Sequence, residues 1–370
     1  MNKVLLLLSL ILLVKNSKAQ QAYNLIVGTY TKPGKSEGIY LYRFDSSNGS
    51  AEQKSVMRGL VNPSFLTVSK DYKHVYCITE TPEGGSVMSY RLDGTKAELT
   101  PLNEVINAPG ACHIFVDDKH AFTASYGKGS LSVFGIAPST GKLTETKQLI
   151  QHTGKSIDPV RQKSAHAHQV QLTPDKKYLM CTDLGEDHIY AYRYNPKAGP
   201  DVLTQHSRIK VNPGNGPRHL TFSPNARFFY LLNEFTGVIN AYRYKKGDAK
   251  EVQQIATTAR DFKGKIDGAD IHISPDGRFL YSSNRGDLNT ISVFSIGTDG
   301  LLTLVEQVST LGKGPRNFAI DPSGNYLLVG HQYTDYIVIF ERNKKTGTLK
   351  DTGNRIDVPA AVCLVFAPAR

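Results

Sequence analysis

Ile271-His-Ile-Ser-Pro-Asp276, followed directly by Arg278-Phe-Leu-Tyr-Ser-Ser-Asn-Arg285, decides the fold of this chain. An alternating apolar strand runs into a Ser-Pro-Asp turn, where proline and aspartate favour a tight reversal, and a second apolar run leaves it. The same phrase recurs as Gln169-Val-Gln-Leu-Thr-Pro-Asp175 into Lys177-Tyr-Leu-Met-Cys-Thr-Asp183. It recurs again as His219-Leu-Thr-Phe-Ser-Pro-Asn225 into Arg227-Phe-Phe-Tyr-Leu-Leu-Asn-Glu234, and as Asn317-Phe-Ala-Ile-Asp-Pro-Ser323 into Asn325-Tyr-Leu-Leu-Val-Gly-His331. The four prolines stand at 174, 224, 275 and 322, so the spacings are 50, 51 and 47. A fixed period of this length implies stacked, similar units.

Each unit continues with a third strand rich in β-branched and aromatic residues, such as Ile189-Tyr-Ala-Tyr-Arg-Tyr194 or Tyr336-Ile-Val-Ile-Phe340, and leaves room for a fourth, such as Gly300-Leu-Leu-Thr-Leu-Val305. Two weaker copies precede these, from Ser64-Phe-Leu-Thr-Val and from Cys112-His-Ile-Phe-Val. The last is split. Val362-Cys-Leu-Val-Phe-Ala-Pro368 is a first strand with nothing after it, whereas Leu25-Ile-Val-Gly-Thr-Tyr30 and Ile39-Tyr-Leu-Tyr-Arg-Phe44 lack a first strand. Joining them closes a ring and removes exposed sheet edges. The expectation is an all-β, seven-bladed β-propeller of four-stranded antiparallel blades, closed by the C-terminal strand joining the N-terminal blade.

Residues 1–19 read as a secretory leader: Lys3 is basic, Val4 to Val14 is apolar, and Ser17-Lys-Ala19 is a small-x-small cleavage site. The apolar run is too short to span a membrane. Residues 20–370 are then one propeller domain, exported to the periplasm or secreted. The net charge of +11 includes Lys3, Lys15 and Lys18 of that leader, and the other basic residues are scattered. That pattern points away from nucleic acid and towards solubility or a basic channel for a small anion. The four cysteines show no disulfide or zinc spacing and are expected to be buried thiols. The absence of tryptophan excludes the common Trp-Asp repeat.

Propellers gather function at one mouth of the channel, where chain entering first strands meets chain leaving second strands. Five residues before each turn stand Ser64, Cys112, His168, Arg218, Ala269, Arg316 and Val362. Four before stand Phe65, His113, Gln169, His219, Asp270, Asn317 and Cys363, and eleven after, in five units, Glu80, Leu184, Glu234, Arg285 and Gln332. Charged residues at positions a structural repeat would fill with small ones mark a candidate site. Each also has a plainer reading. Asp175, Asp276 and Asp321 are turn residues. His166 and His168 share a strand face, yet spacing supplies no third ligand, so no metal or other cofactor is expected. Arg218 and Arg316 each follow Gly-Pro and could tie down loop carbonyls, Glu234 could merely pair with one of them, and His113, His219 and His272 could be core histidines.

The motifs Val27-Gly-Thr-Tyr-Thr31, Gly38-Ile-Tyr40, Asn62-Pro-Ser-Phe65, Ala111-Cys-His-Ile114, His166-Ala-His-Gln169, Asp183-Leu-Gly185 with Asp187, Gly216-Pro-Arg-His219, Leu232-Asn-Glu234, Ser283-Asn-Arg-Gly286 and Gly314-Pro-Arg-Asn317 resemble the seven-bladed lactonase family. Its members include propeller-type 6-phosphogluconolactonases and the fungal carboxy-muconate lactonizing enzyme. The resemblance runs from about residue 23 to the C-terminus. It implies catalytic residues His168, Arg218, Glu234 and Arg285, with His166, His113, Arg316, His219 and Gln332 as substrate-binding candidates and Arg316 competing with Arg285 as the second catalytic arginine. It implies hydrolysis of an anionic sugar lactone by water that Glu234 or His168 activates as general base, with arginines stabilising the oxyanion. The alternatives are a non-catalytic carbohydrate- or protein-binding propeller and a muconate-type lactonizing enzyme. A monomer or weak dimer is expected. The export leader sits awkwardly with a cytosolic phosphorylated substrate and leaves the particular lactone open.

Overall fold

The structure, a computed structural model, describes residues 22–31, 34–81, 84–259 and 261–370. The leader read over residues 1–19 lies outside the described residues. Strands β1 to β28, numbered in chain order, form seven four-stranded antiparallel sheets. Six blades take consecutive strands from the channel outwards. The remaining blade combines both ends of the chain: β28 (Ala361–Pro368) is innermost, then β1 (Ala22–Thr29), β2 (Gly38–Asp45) and β3 (Ser50–Arg58). Tyr23 pairs with Pro368 and Val27 with Leu364, so the ring closes as the split repeat predicts.

Burial explains the strand types. The second strands β13 (Tyr178–Asp183) and β17 (Phe228–Asn233) are covered on both faces by neighbouring blades and are buried throughout, which is why they read as continuous apolar runs. The outer strand β23 (Leu302–Ser309) is largely exposed. Adjacent blades share cores: Ile271, Leu280, Phe294 and Leu302 of one pack on Phe228, Tyr230, Leu232 and Ile239 of the blade before it. Each such fully buried side chain contributes about 1.5–3 kcal/mol. The recurring tyrosine of the second strand adds a tie to the next blade. Tyr230 and Tyr281 donate their hydroxyls to the carbonyls of Gly300 and Gly347 at 3.0 and 2.7 Å. All four cysteines are free and buried.

The channel is shaped by a repeated irregularity. The inner strands β8 (Ala111–Val116), β12 (Ala167–Leu172), β16 (Pro217–Phe222), β20 (Gly268–Ile273), β24 (Pro315–Ile320) and β28 each shift register near their first residues. In five of them the unpaired residue is Cys112, His168, Arg218, Arg316 or Val362, and a bulge re-aims such a side chain. Just below, the residues four before each turn form a waist. Gln169 Oε1 accepts from Leu220 N at 2.6 Å, Asn317 Oδ1 from Leu364 N at 2.7 Å, and Cys363 Sγ from Leu66 N at 3.4 Å. These three waist residues each bond the strand of the blade that follows, so buried polar groups at the channel help hold the ring together.

Candidate active site

The bulged residues of one mouth meet the residues that follow the second strands. Together they line a cleft of about 380 Å³ built from Tyr30, Glu80, Cys112, Tyr126, Arg161, His168, Glu234, Asp267, Arg285 and Arg316. Arg218 lies immediately beneath, against Glu234.

Glu234 is the hub. Its backbone N–H is fixed 2.7 Å from the carbonyl of Gly216, in the Gly-Pro-Arg loop that leads into β16. Gly216 has φ +68°, a conformation that favours glycine, and its own N–H donates to Asp187 Oδ1 at 2.7 Å. The Glu234 carboxylate, with a side chain only 6% exposed, receives Arg161 Nη2 at 2.6 Å, Arg218 Nε at 3.0 Å and Arg285 Nη2 at 3.1 Å. Burial alone would raise its pKa, but Arg285, Arg218 and Arg161 outweigh that and hold it at about 2. The carboxylate is therefore a fixed anion and a poor proton acceptor at neutral pH. Arg218 also donates to the Ala269 carbonyl. Burial and then the neighbouring Arg285 and Arg316 push it down to about 10, so it stays a cation at neutral pH. Arg285 shares its charge with Asp267 Oδ1 at 2.6 Å.

Arg316 differs. Among the described residues it makes no hydrogen bond or ion pair, and its guanidinium lies 5.4 Å from the centre of the Tyr30 ring. The carboxylate nearest to Tyr30 is that of Glu80, whose Oε2 accepts from the Tyr30 hydroxyl at 2.9 Å and from Ser64 Oγ at 2.8 Å. His168 is buried with Nε2 3.9 Å from Glu234 Oε2. Burial first, and then Arg218, His219, Arg316 and Arg285, depress its pKa well below the usual value, so the ring is neutral. The cleft thus presents a neutral imidazole, a Glu234 carboxylate caged by arginines, the Glu80 and Asp267 carboxylates engaged by Tyr30 and Arg285, and one arginine that makes no ion pair among the described residues. That set can accept a proton from water and receive a developing oxyanion or an anionic substituent.

The structure brings His168, Arg218, Glu234 and Arg285 together at one mouth, with Arg316 beside them. The other candidates stand elsewhere. His219 is one layer deeper, at the waist, with Nδ1 2.9 Å from Asp270 Oδ1. His113 stacks on Phe65 with ring centres 4.2 Å apart. His166 stacks on Tyr126 at 4.3 Å and holds its carbonyl through Nδ1 at 2.7 Å, supporting the cleft wall rather than forming it. Gln332 is not among the lining residues.

Four lining residues escaped the sequence reading: Tyr126, Tyr30, Arg161 and Asp267, the last in the loop before β20. Tyr126 holds the same place in its blade as Glu234 in its own, but the turn between β8 and β9 (His120–Ser125) is two residues shorter than its siblings, so a count of eleven lands on Lys128. Tyr30 holds that place in the split blade, which has no turn to count from. Arg161 sits on residues 152–166, a long excursion into β12 that stretches the interval from turn residue Asp117 to Thr173 to 56 residues. The neighbouring Gln162 pins this loop to the Leu184 carbonyl and to Asp187 Oδ2, both by Nε2, at 2.8 and 2.7 Å. Arg161 then packs over Phe235, 5.1 Å from its ring centre.

Among the described residues, the compact group of metal-ligating side chains is His152, Asp183 and Glu186, away from the cleft lining. Both His152 nitrogens are already engaged there, with Asp183 Oδ2 at 2.7 Å and the Tyr192 hydroxyl at 2.8 Å. Asp183 Oδ1 in turn accepts from His166 N, so this network supports the strand that carries His168.

A profile for the family described as "Lactonase, 7-bladed beta-propeller" matches residues 24–366. The 6-phosphogluconolactonase of Bacillus subtilis is 36% identical over 346 residues, covering 92% of this chain and 97% of that protein. The 6-phosphogluconolactonase of Formosa agariphila is 35% identical, with coverage of 88% and 94%. The solved structure of a periplasmic gluconolactonase from Pseudomonas aeruginosa superposes with a TM-score of 0.89 at 32% identity, covering 94% of this chain and all (100%) of that one.

Proposed function

We propose, from the fact that the chain belongs to the seven-bladed β-propeller lactonase family, that this lactonase opens a sugar lactone by direct attack of water. Relatives named 6-phosphogluconolactonase and gluconolactonase support the substrate class. The observation that carries the mechanism is the unequal treatment of the arginines. Glu234 is ion-paired with Arg161, Arg218 and Arg285, whereas Arg316 makes no ion pair among the described residues: the Tyr30 ring lies against it, and Glu80 and Glu234 act on it only at longer range.

In this reading the lactone lies in the cleft with its carbonyl oxygen towards Arg316. His168 Nε2 accepts a proton from water as the water oxygen bonds the acyl carbon, and negative charge collects on the carbonyl oxygen. The tetrahedral intermediate then breaks its ring C–O bond, and the departing alkoxide takes the proton back from His168. Glu234 is the counter-charge. Its Oε2 stands 3.9 Å from the ring nitrogen that receives the proton and offsets part of the repulsion from the surrounding arginines. The base is assigned to His168, which lines the cleft as a neutral ring, because the Glu234 carboxylate is already taken up by three arginines.

The test is a pH-stat assay on δ-gluconolactone and its 6-phosphate, corrected for spontaneous opening. Acid release above background on either supports the reading, and background rates on both refute it. The leader adds that the protein works after export. N-terminal sequencing of the mature protein should begin at Gln20, and an intact Met1 would overturn the export proposal.

A further inference from the structure

Two buried ring nitrogens at the floor of the site have no hydrogen-bond partner: Nδ1 of His168 and Nε2 of His219. The rings are neighbours, with centres 5.2 Å apart and planes at 71°. What lies on the far side of His219 fixes how it is protonated. Its Nδ1 is 2.9 Å from Asp270 Oδ1. Asp270 is buried and is surrounded by donors: His272 Nε2 at 2.8 Å, Asn317 Nδ2 at 2.5 Å and Ile271 N at 3.0 Å. Burial would raise its pKa, but His272 and His219 outweigh that and hold it well below the ordinary range. An ionised carboxylate only accepts, so His219 donates from Nδ1. Burial and Arg218 push the His219 ring down to about 4, so it is neutral and carries that one proton. Nε2 is then a lone pair, buried and unpartnered.

The neighbouring His168 can answer that lone pair in one tautomer only. With its proton on Nδ1 it supplies a donor to the adjacent ring after a small rotation. With its proton on Nε2 instead, two lone pairs would be left unsatisfied in a buried space, at roughly 1–3 kcal/mol for each. We propose that Asp270 and His219 are positioning residues for hydrolysis: Asp270 orients His219, and His219 keeps the proton of His168 on Nδ1, so that Nε2, the nitrogen near Glu234, is the acceptor for the proton of water.

The proposal rests on the hydrolytic reading above and refines it. Through the catalytic step the Nδ1 proton stays where it is. Nε2 gains the proton of water and returns it to the ring alkoxide, so no net proton runs down the chain. The charged and titratable groups facing His168 are Arg218 from β16, Arg316 from β24, Arg285 after β21 (Phe279–Asn284), Glu234 after β17, His219, and Tyr126 at 5.9 Å between ring centres. Asp270 reaches this ring through His219.

The test combines nitrogen-15 NMR of the imidazoles with kinetics on δ-gluconolactone. In the parent, His168, assigned by its absence from His168→Gln, should show the Nδ1–H tautomer. In Asp270→Asn it should shift towards Nε2–H. The kcat of Asp270→Asn should fall about 10- to 100-fold, as when the partner that orients a reacting side chain is lost, with KM unchanged. The acid limb of kcat/KM should move to lower pH, because a nearby anion that favours the protonated imidazole is gone. A purely structural role would move neither tautomer nor limb. Should Asp270→Asn misfold, His219→Gln must show the same tautomer shift and rate loss. An Nε2–H tautomer in the parent, or a parental kcat and pH profile in the folded variant, overturns the proposal. If the parent opens neither lactone, the hydrolytic reading falls by itself, and the tautomer measurement still decides the arrangement of the three groups.

Discussion

The two ends of the channel are built from the same inner strands and treat them in opposite ways. At the turn end, four blades repeat one set of bonds. Ser274 donates to Asp276, which accepts from Arg278 N, while Ser274 Oγ accepts from Phe279 N. Thr173, Asp175, Lys177 and Tyr178 do the same, as do Ser223, Asn225, Arg227 and Phe228, and Ser69, Asp71, Lys73 and His74. At the cleft end the bulged position holds Cys112, His168, Arg218, Ala269, Arg316 and Val362, and its residues bond in dissimilar ways. Where blades agree atom by atom, the bonds fold each hairpin. Where they diverge on the same scaffold, the residues are free to serve chemistry. Substitutions at the two ends should therefore fall into different classes.

The largest effect expected is from Glu234→Ala. It strips the counter-charge from Arg161, Arg218 and Arg285, and removing one partner of a buried ionic group costs about 3–5 kcal/mol. Changes at Glu234 and Arg218 should cost turnover. Their burial makes them costly to the fold as well, so denaturant midpoint and turnover should both drop. Linkage gives a sharper form. The Glu234 pKa is lowered on folding, from 4.5 to about 2, so its stabilisation is complete above pH 4.5 and is lost as pH falls towards 2. The stability gap between parent and Glu234→Gln should narrow across that window, and a gap that stays constant with pH would remove the cage from the account.

Arg316→Ala should separate the two classes. No hydrogen bond or ion pair is broken among the described residues, so stability should change little. If Arg316 receives the oxyanion, kcat should fall about 10²- to 10³-fold, the usual loss on removing one such donor. A stability loss without a rate loss would return Arg316 to the structural class.

The same contrast explains what was legible in the sequence. The period, the turn chemistry and the split blade carried the whole architecture, because hairpin bonds are local and recur. The cleft was legible as far as the register could be counted, which reached His168, Arg218, Glu234, Arg285 and Arg316. Counting failed where the ruler changed length: at the shortened turn before Tyr126 and at the turnless split blade of Tyr30. Arg161 was hidden differently. It reaches Glu234 from a loop outside the repeat, and only the stretched interval between Asp117 and Thr173 announced an excursion. The partners of His166 and His113, Tyr126 and Phe65, come from other blades, so pattern within a strand could not tell support from contact with substrate.

The turn end offers the smallest and cleanest test. The residue after the Asp or Asn of each turn is left-handed: Tyr72 at φ 58°, Lys176 at 56°, Ala226 at 55° and Gly277 at 72°. Three of these four carry a Cβ and bear the strain of that conformation, about 1–2 kcal/mol in the general case. Ala226→Gly relieves it, but glycine also gains entropy in the unfolded chain, which takes back about 0.4–1 kcal/mol. The net should be a stabilisation of about 0.5 kcal/mol, read as a small rise in denaturant midpoint at constant slope. Lactone turnover should be untouched, because this turn lies across the waist from the cleft. Altered turnover in Ala226→Gly would mean that strain at the turns is felt at the bulges, and the division between a folding end and a chemical end would not hold.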